Sequence, residues 1–450
     1  SRGLGDVYKR QELSVNGVPQ RVSLAPAIDV ALARIGDADA GVARAALDVL
    51  TAACNVLVRD ADPALRGELR RVLVGLFREA GHAALGDDVR AYLGAAYADV
   101  LRAEIEREVP PGGGVSQRHL LPLTLVALEA MARAVDGVDL AGAAPHVELL
   151  LAVVRAFLDA CATRPATRPR LGHTVLHALA SAFCSLCYEQ HWHRRLGGWL
   201  GIDTLVRRAA LGAAWIADHQ LEIVRALLYM LKDMPSDPPR EMERVNETLY
   251  YVLEQAYSER AADPANVYAG ASPHLRWLVS ILIPELSCAN ELARATTQRT
   301  LELLAERHGC AVTALLEPQR DRLLLPIFTK PLRALPFGMQ IGHIDAVTYT
   351  LQLRPPLPAF NEELFRVLTE ALALADADDQ ALIGRTTLYK SVVAVTKLRV
   401  AAIRLLAAAM QCPAFQTPEH VTMRMRIISV YFKCLYSLSE EAVSYTHLRA

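Results

Sequence analysis

Residues 42–58, which read VARAALDVLTAACNVLV, decide the fold class. Their apolar side chains recur every three or four residues and share one face of an α-helix. The residues on that face are Val42, Ala46, Val49, Ala53 and Val56. Pro63 opens a second segment of the same kind, at the first helical turn, where a missing N–H costs nothing. The pattern therefore predicts two consecutive amphipathic helices.

The same period continues along the chain in segments separated by Pro, Gly and Asp. We predict further helices over residues 87–108, 119–135, 145–161, 171–190, 212–231, 239–259, 273–286, 291–308, 361–374, 397–410 and 418–438. Long alternating runs of β-branched residues are missing from the sequence, so a large sheet is excluded.

Several predicted helices open on an acidic residue that is followed by an apolar residue and then an arginine. The acid can cap the helix and interact with its dipole, while the arginine can reach back to a neighbouring turn. Repetition at the spacing of helix pairs favours HEAT-type repeats of about 40–47 residues. The sequence therefore predicts an all-α, HEAT-type α-solenoid of antiparallel helix pairs, with an irregular helical bundle as the alternative. The phrase occurs at Asp37–Arg44, Asp62–Arg66, Asp87–Arg90 and Glu291–Arg294.

A proline-rich segment interrupts this pattern at residues 326–358, which contain six prolines. Within it, residues 344–354 (IDAVTYTLQLR) alternate between apolar and polar types instead of following a helical period. We expect one irregular insertion that packs on the solenoid, with helical repeats at 20–325 and 359–440. A flexible linker between two solenoid blocks is the alternative.

The composition excludes several classes of protein. Hydrophobic residues make up 52% of the 450 residues, so the chain as a whole is not disordered. The formal charge is −1, from 48 basic and 49 acidic residues, so no net field attracts nucleic acid or an anionic membrane. Eight scattered cysteines fit a reducing compartment rather than a disulfide scaffold. Residues 171–188 carry no formal charge, but their histidines and serines at intervals of four are typical of a soluble amphipathic helix.

One set of residues has the composition of a metal site. Cys184, Cys187 and His191, here called the cysteine–histidine set, would share one face of a continuous helix. Tetrahedral zinc needs a fourth ligand, and His173 would lie about 27 Å from His191 along that helix. No second CxxC or HxxxH motif exists in the chain. We therefore expect no metal, and a helical metalloprotein built on this set remains the enzymatic alternative.

Catalytic and phosphate-binding motifs are missing from the sequence. It contains no Walker A loop and no G-x-S-x-G nucleophile elbow. The glycines at 112–114 follow two prolines and are typical of a linker, and Arg164, Arg168 and Arg170 are typical of a solvated loop. We expect no catalytic residue and no cofactor.

Three blocks of sequence, in this order, resemble the transcription-associated pseudokinase family of TRRAP, the transformation/transcription domain-associated protein. The first block contains Cys187, Tyr188, Glu189, Gln190, Trp192, Leu196, Gly197, Gly198 and Ile202. The second includes Glu317, Pro318, Gln340 and Gly342, and the third begins at Leu388-Tyr389-Lys390-Ser391. Together they span about residues 170–440, whereas residues 20–165 match only as generic helical repeat.

The resemblance implies a piece of the HEAT-repeat region of a much longer chain. Family members are non-catalytic scaffolds of SAGA-type and related histone acetyltransferase complexes, and they dock transcription activators in the nucleus. Protein partners are therefore expected, without direct nucleic-acid, membrane or small-molecule binding. No catalytic or ligand role is carried over, so the matching residues are expected to be structural. The alternatives are the HEAT region of an active phosphatidylinositol-3-kinase-like kinase and a nuclear transport receptor.

The two ends of the sequence look like translated adapter sequence. We expect residues 1–11 (SRGLGDVYKRQ) to be a non-native leader and residues 443–450 (VSYTHLRA) to be a non-native tail.

The chain must turn quickly after the predicted helix at 171–190, because another apolar helix resumes by Gly201-Ile202. Gly197 and Gly198 could supply left-handed backbone or a close approach that a Cβ would obstruct. Trp192 would then be buried over this turn, and a tryptophan that faces a partner is the alternative.

Overall fold

A computed structural model describes residues 13–15, 18–20, 25–34, 37, 39–59, 143–162, 171–209, 211–232, 241–257, 273–377 and 389–435. The chain divides into two compact units, residues 1–230 and 231–450, and each is described by itself. The helices predicted after Pro63, at 87–108 and at 119–135 lie outside the described residues. So do both suspected adapter ends, the glycines at 112–114 and the arginines between 164 and 170.

The first unit begins with a short antiparallel ribbon of β1 (Leu13–Val15) and β2 (Val18–Gln20), in which Leu13 is paired with Gln20. The helices follow it in chain order. They are α1 (Ala25–Arg34), α2 (Ala40–Arg59), α3 (Ala144–Ala162), α4 (Leu171–Leu186), α5 (Trp192–Asp203) and α6 (Ala213–Lys232), whose last two residues belong to the second unit. A π-helical turn at Thr204–Arg208 follows α5. Helix α1 packs on α2, and α4 packs on both α3 and α5.

The second unit continues with helices and 3-10 turns. The helices are α7 (Glu241–Ala256), α8 (Pro273–Leu282), α9 (Glu291–Arg307), α10 (Val312–Leu316), α11 (Arg320–Thr329), α12 (Phe337–Gln352), α13 (Glu362–Asp376), α14 (Tyr389–Met410) and α15 (Val421–Leu435). The 3-10 turns are Ile283–Ser287, Glu317–Gln319, Leu332–Ala334, Pro413–Gln416 and Pro418–His420. Helix α14 packs against α12, α13 and α15, and α7 packs against α9.

The helix starts follow the predicted capping chemistry where they are described. The Asp39 carboxylate accepts a hydrogen bond from the backbone N–H of Gly41 at 2.8 Å in the first turn of α2. At α9 the cap is Asn290, whose side chain accepts from Ala293 N at 3.0 Å, and Glu291 occupies the first turn. Helix α9 ends at Arg307, and Gly309 just beyond it has a φ of +61°, the left-handed conformation that stops a helix. Local sequence therefore sets the boundaries of these helices.

The prediction of an irregular insertion at residues 326–358 is wrong for most of its length. Helix α12 occupies 16 of those residues, and α11 runs through Pro326. The alternation of apolar and polar residues in 344–354 suggested a non-helical segment, but its threonines Thr348 and Thr350 are buried inside a helix. Their hydroxyls donate to the carbonyls of Ile344 and Ala346 at 2.8 and 2.9 Å, so these polar side chains need no solvent. This part of the segment is therefore a core helix that packs on α14, not a linker.

The prediction that no large sheet exists is confirmed for the described residues, whose strands form one two-stranded ribbon. None of the helices in the described ranges has the length and hydropathy that a bilayer crossing needs.

Candidate protein-interaction surfaces

The first block that resembles the family begins at Cys187 and forms the turn after α4 together with α5, so the two helices make a hairpin. Helix α4 ends at Leu186, and the chain reverses through residues 187–191 without a glycine. The N–H of Cys187 donates to the carbonyl of Cys184 at 3.1 Å and its thiol donates to that of Phe183 at 3.5 Å, so Cys187 closes the last turn. Cys184 and Cys187 are both buried at the base of this hairpin.

The cysteine–histidine set does not share a helical face, because α4 stops before His191. His191 is exposed and is the N-cap residue of α5, while both thiols are buried. Burial raises the pKa of both thiols, and for Cys184 the neighbouring Cys187 adds to the shift, so both favour the neutral form. Zinc requires thiolates. Among the described residues, no three His, Cys, Asp or Glu side chains are grouped as a metal site requires.

Two glycines of α5 allow it to lie directly on α4. A Cβ at Gly198 would approach the carbonyl oxygen of Phe183 to 2.6 Å and the Cβ of Leu186 to 2.9 Å. A Cβ at Gly201 would overlap the buried ring of Phe183. The predicted close approach of the backbone is therefore found at Gly198, where α5 lies on α4. The second close contact, at Gly201, was not predicted. Gly197 and Gly198 do not adopt the left-handed backbone conformation that the sequence also allowed, because both are buried inside helix α5.

The prediction that Trp192 is buried over the turn is wrong. Trp192 is the first residue of α5 and is only half-buried. Trp199, two turns later, is 1% exposed and fills the core together with Leu196 and Ile202. Sequence reasoning placed the start of the helix about nine residues too late, near Gly201, and so assigned the core position to the wrong tryptophan.

An exposed aromatic surface lies beside this hairpin. The rings of Tyr188 and Tyr229 have centroids 4.8 Å apart, and both side chains are exposed. The guanidinium of Arg195 lies 5.8 Å from the Tyr229 centroid, and its Nε donates to the carbonyl of Glu189. Partial burial raises the pKa of Tyr188 to about 12, against the opposing effect of the exposed Arg225. We call Tyr188, Tyr229 and Arg225 the tyrosine–arginine surface.

Glu189 and Gln190, which also belong to the matching block, lie in the turn itself. Gln190 is exposed, and the Glu189 carboxylate lies 3.7 Å from the guanidinium of Arg194. Both carboxylate and guanidinium are about two-fifths exposed, so this pair contributes little to stability.

In the second unit, the family-matching residues position α12. Gln340 is buried and donates to the carbonyl of Leu335 at 2.7 Å, in the first turn of the helix. Gly342 faces the chain that joins α8 to α9, and an added Cβ would overlap the carbonyl oxygens of Ser287 and Cys288. These residues therefore act in packing.

An ion pair joins α9 to α12, between the buried Arg294 and the partly buried Asp345. Arg294 donates to the Asp345 carboxylate at 2.7 Å and to the carbonyls of Cys288 and Ala289 at 2.9 and 3.1 Å. Arg294 thus reaches back to the preceding turn, as predicted from the acidic–apolar–arginine sequence pattern. Burial raises the pKa of Asp345, and the Arg294 guanidinium opposes that shift.

Among the described residues of the second unit, Trp277 has the most exposed large apolar side chain, at 66%. It lies on α8, where the carbonyl of Arg276 accepts from Gln319 at 3.3 Å and Ser280 accepts from Arg322. Residues 317–322, which include the exposed family-matching Glu317 and Pro318, line a cleft of about 400 Å³. Trp277 with this rim is here called the tryptophan surface.

Sequence patterns did not single out Tyr229, Arg225 or Trp277. Tyr229 and Arg225 follow each other by one helical turn on α6, and Trp277 occurs in the run HLRWLVSIL. A tryptophan in an amphipathic helix is indistinguishable from a core residue until the neighbouring helices are placed. The one signal available was the basic residue directly before it, Arg276.

Comparison with known proteins places these surfaces in context. The family model described as "Tra1 HEAT repeat ring region" matches residues 27–448. The subunit TRA1 of the SAGA and NuA4 acetyltransferase complexes of Saccharomyces cerevisiae is 35% identical over 280 residues, 62% of this chain. The Schizosaccharomyces pombe counterpart is 36% identical over 59% of the chain, and the human transformation/transcription domain-associated protein is 29% identical over 58%. The chain covers about 7% of the length of each of these relatives.

Proposed function

Because this chain belongs to the family of the Tra1 HEAT repeat ring region, we propose that it is a non-catalytic scaffold segment of a transcription coactivator subunit. The predicted resemblance and the HEAT-type α-solenoid fold class are both confirmed by this membership. The subunit would work in the nucleus within SAGA-type and related histone acetyltransferase complexes. The observation that carries the proposal is the match to a repeat ring over residues 27–448.

Repeat architecture suits this role physically. Each repeat buries its apolar face against its neighbours, so a solenoid leaves a long outer surface on which several proteins can bind at once. Activators would contribute short amphipathic or acidic segments, and complex subunits would contribute folded surfaces.

The tyrosine–arginine surface and the tryptophan surface are the best candidates for these contacts. Tyr, Trp and Arg dominate the binding energy of protein interfaces because they bury a large apolar area and still satisfy a polar end. Arg225 is exposed beside Tyr188, so the tyrosine–arginine surface suits an acidic partner. The tryptophan surface carries the exposed Glu317 and Asp321 as well as Arg322, so it suits a partner with charges of both signs.

The proposal is tested with tagged full-length subunit, from which co-purifying acetyltransferase subunits and an acidic activation segment are quantified. Tyr188→Ala combined with Tyr229→Ala, and separately Trp277→Ala, should weaken at least one partner about 30-fold, the effect of a hot spot of about 2 kcal/mol. Val30→Ala is the matched control, because Val30 is 65% exposed but lies on neither surface. Retention of every partner by both variants would contradict the assignment of these surfaces, and a subunit that co-purifies with no acetyltransferase complex would contradict the proposed function.

A further inference from the structure

The turn between α14 and α15, residues 411–420, presents a threonine that is followed directly by a proline. Thr417 and Pro418 form one of the two Ser-Pro or Thr-Pro pairs in the sequence. Thr417 has a φ of −66° and a ψ of 153°, the extended conformation that a following proline favours. Its side chain is exposed and its hydroxyl caps no backbone N–H of this turn. The hydroxyl is therefore accessible to a modifying enzyme.

The turn is held from its inner side, so Thr417 is displayed without any unfolding. Phe415 is fully buried and stacks on Phe360, with ring centroids 5.6 Å apart. Cys412 is also buried, and its thiol donates to the carbonyl of Ala408 at 3.4 Å. Residues 416–419 are all exposed. An enzyme that reads only the threonine and the proline after it can therefore reach both.

A guanidinium already binds the backbone at this threonine. Arg424 of α15 donates through Nη1 to the carbonyls of Phe415 and Thr417 at 2.6 and 2.7 Å. The carbonyl and the hydroxyl of Thr417 belong to one residue, so a phosphate on the hydroxyl would lie within a few ångströms of this guanidinium. The carboxylate of Glu419 is also nearby in the chain, but it is exposed and screened by solvent. The buried side of the turn thus supplies the cation that a phosphate needs.

We propose that Thr417 is phosphorylated by a proline-directed protein kinase and that Arg424 holds the phosphate. The threonine hydroxyl attacks the γ-phosphorus of ATP, the bond to the β–γ bridging oxygen breaks, ADP leaves, and the hydroxyl proton passes to the catalytic aspartate of the kinase. The phosphate carries a charge of about −1.5 to −2 at pH 7 and accepts charge-assisted hydrogen bonds from the guanidinium. The site is argued from this turn alone and does not depend on the proposed scaffold role.

Thr369 shows how an exposed threonine can lack these properties. It lies inside α13, so its backbone is helical, and its hydroxyl donates to the carbonyl of Phe365 at 2.8 Å. No proline follows it. Thr369 is therefore the internal control for the modification.

The first experiment treats the full-length subunit with a mitogen-activated protein kinase and ATP, and peptide mass spectrometry measures phosphate at each position. Thr417 should be modified and Thr369 should not. Pro418→Ala keeps the hydroxyl but removes the residue that the kinase reads, and it should slow the modification about 10-fold or more. A synthetic peptide of residues 411–426 is treated in parallel.

An unmodified Thr417 in the folded subunit would overturn the proposal whatever the peptide does. A modified peptide would then show that the turn is closed to the kinase, and an unmodified peptide would show that the sequence is not a substrate. Modification at an equal rate in Pro418→Ala would also overturn it, because the kinase would not be reading the proline.

Hydrogen exchange of residues 415–423 tests the role of Arg424. Phosphate should slow exchange in this segment about 10-fold, the effect of one charge-assisted hydrogen bond. Arg424→Lys keeps the charge and should retain part of this slowing, whereas Arg424→Gln should lose it. Each variant is compared with its own unphosphorylated form, so a general loosening of the turn cancels. Equal slowing in Arg424→Gln would refute the assignment of Arg424 as the residue that holds the phosphate.

Discussion

Gly342→Ala tests whether α12 is held by direct contact between backbones. Alanine should favour the helix by about 1 kcal/mol over glycine, so propensity alone predicts stabilisation. The added Cβ, however, would overlap the carbonyl oxygens of Ser287 and Cys288 and lie 2.9 Å from the carbonyl carbon of Ser287. Backbone carbonyls cannot rotate away as a side chain can, so α12 must shift. Overpacking of this kind costs about 3 kcal/mol or slightly more.

The two effects leave a net destabilisation of about 2 kcal/mol. In a unit of this size, that lowers Tm by about 4–8 °C. Differential scanning calorimetry measures the shift, and hydrogen exchange of residues 283–290 reports whether the disturbance begins at the contact. The exchange data are needed because a lower Tm alone does not locate the damage.

Gly338→Ala is the matched control on the same helix, one turn earlier. Its Cβ would lie 3.1 Å from the Cβ of Ala289 and 3.8 Å from the Cα and carbonyl oxygen of that residue, a milder overlap that a shift of a few tenths of an ångström relieves. The gain in propensity then offsets the contact, and Tm should stay within about 2 °C of the parent. If Gly342→Ala melts at or above the parent temperature, the backbone contact does not hold α12 in place.

Three further predictions follow from the buried groups. Arg294→Met should cost about 2 kcal/mol, because it removes the ion-pair partner of the partly buried Asp345 carboxylate, and adding Asp345→Asn should restore part of the loss. Because burial already raises the pKa of Asp345, the loss in the single variant should shrink as pH falls through that raised pKa, which urea denaturation at several pH values measures. The cysteine–histidine set should bind no metal, so stoichiometric zinc in elemental analysis, with lost stability on chelation, would contradict us. Trp199→Ala should destabilise the first unit by about 3–5 kcal/mol and Trp192→Ala by much less; equal Tm shifts would refute the assigned core position.

Periodicity predicted most described helices because their boundaries depend on local chemistry. Helix α2 was predicted over 42–58 and spans Ala40–Arg59, and α9 was predicted over 291–308 and spans Glu291–Arg307. In both, a short polar residue caps the first turn. Such caps act within three residues of sequence, so they are visible without knowledge of the tertiary structure.

The prediction failed where tertiary contact decides the role of a residue. Threonines inside α12 looked like the polar face of a strand because their hydrogen bonds to the helix backbone are invisible in a residue pattern. Gly201 looked like the start of a helix, although it lies within α5 and makes room for the ring of Phe183. Sequence alone does not distinguish a glycine required by a turn from a glycine required by close packing, because the role depends on the helix that faces it.

The residues that carry the family resemblance act mainly inside the molecule. Cys187 closes the end of α4, Gly198 lets α5 lie on it, and Gln340 and Gly342 set the start and the depth of α12. Each of these contacts fixes the angle or spacing between consecutive helices. In a solenoid, small changes between neighbouring repeats accumulate along the array, so we expect substitutions at these positions to act beyond their own contacts. Exposed side chains such as Trp277 can change without disturbing these packing contacts, so under the proposed function they would set the choice of partners.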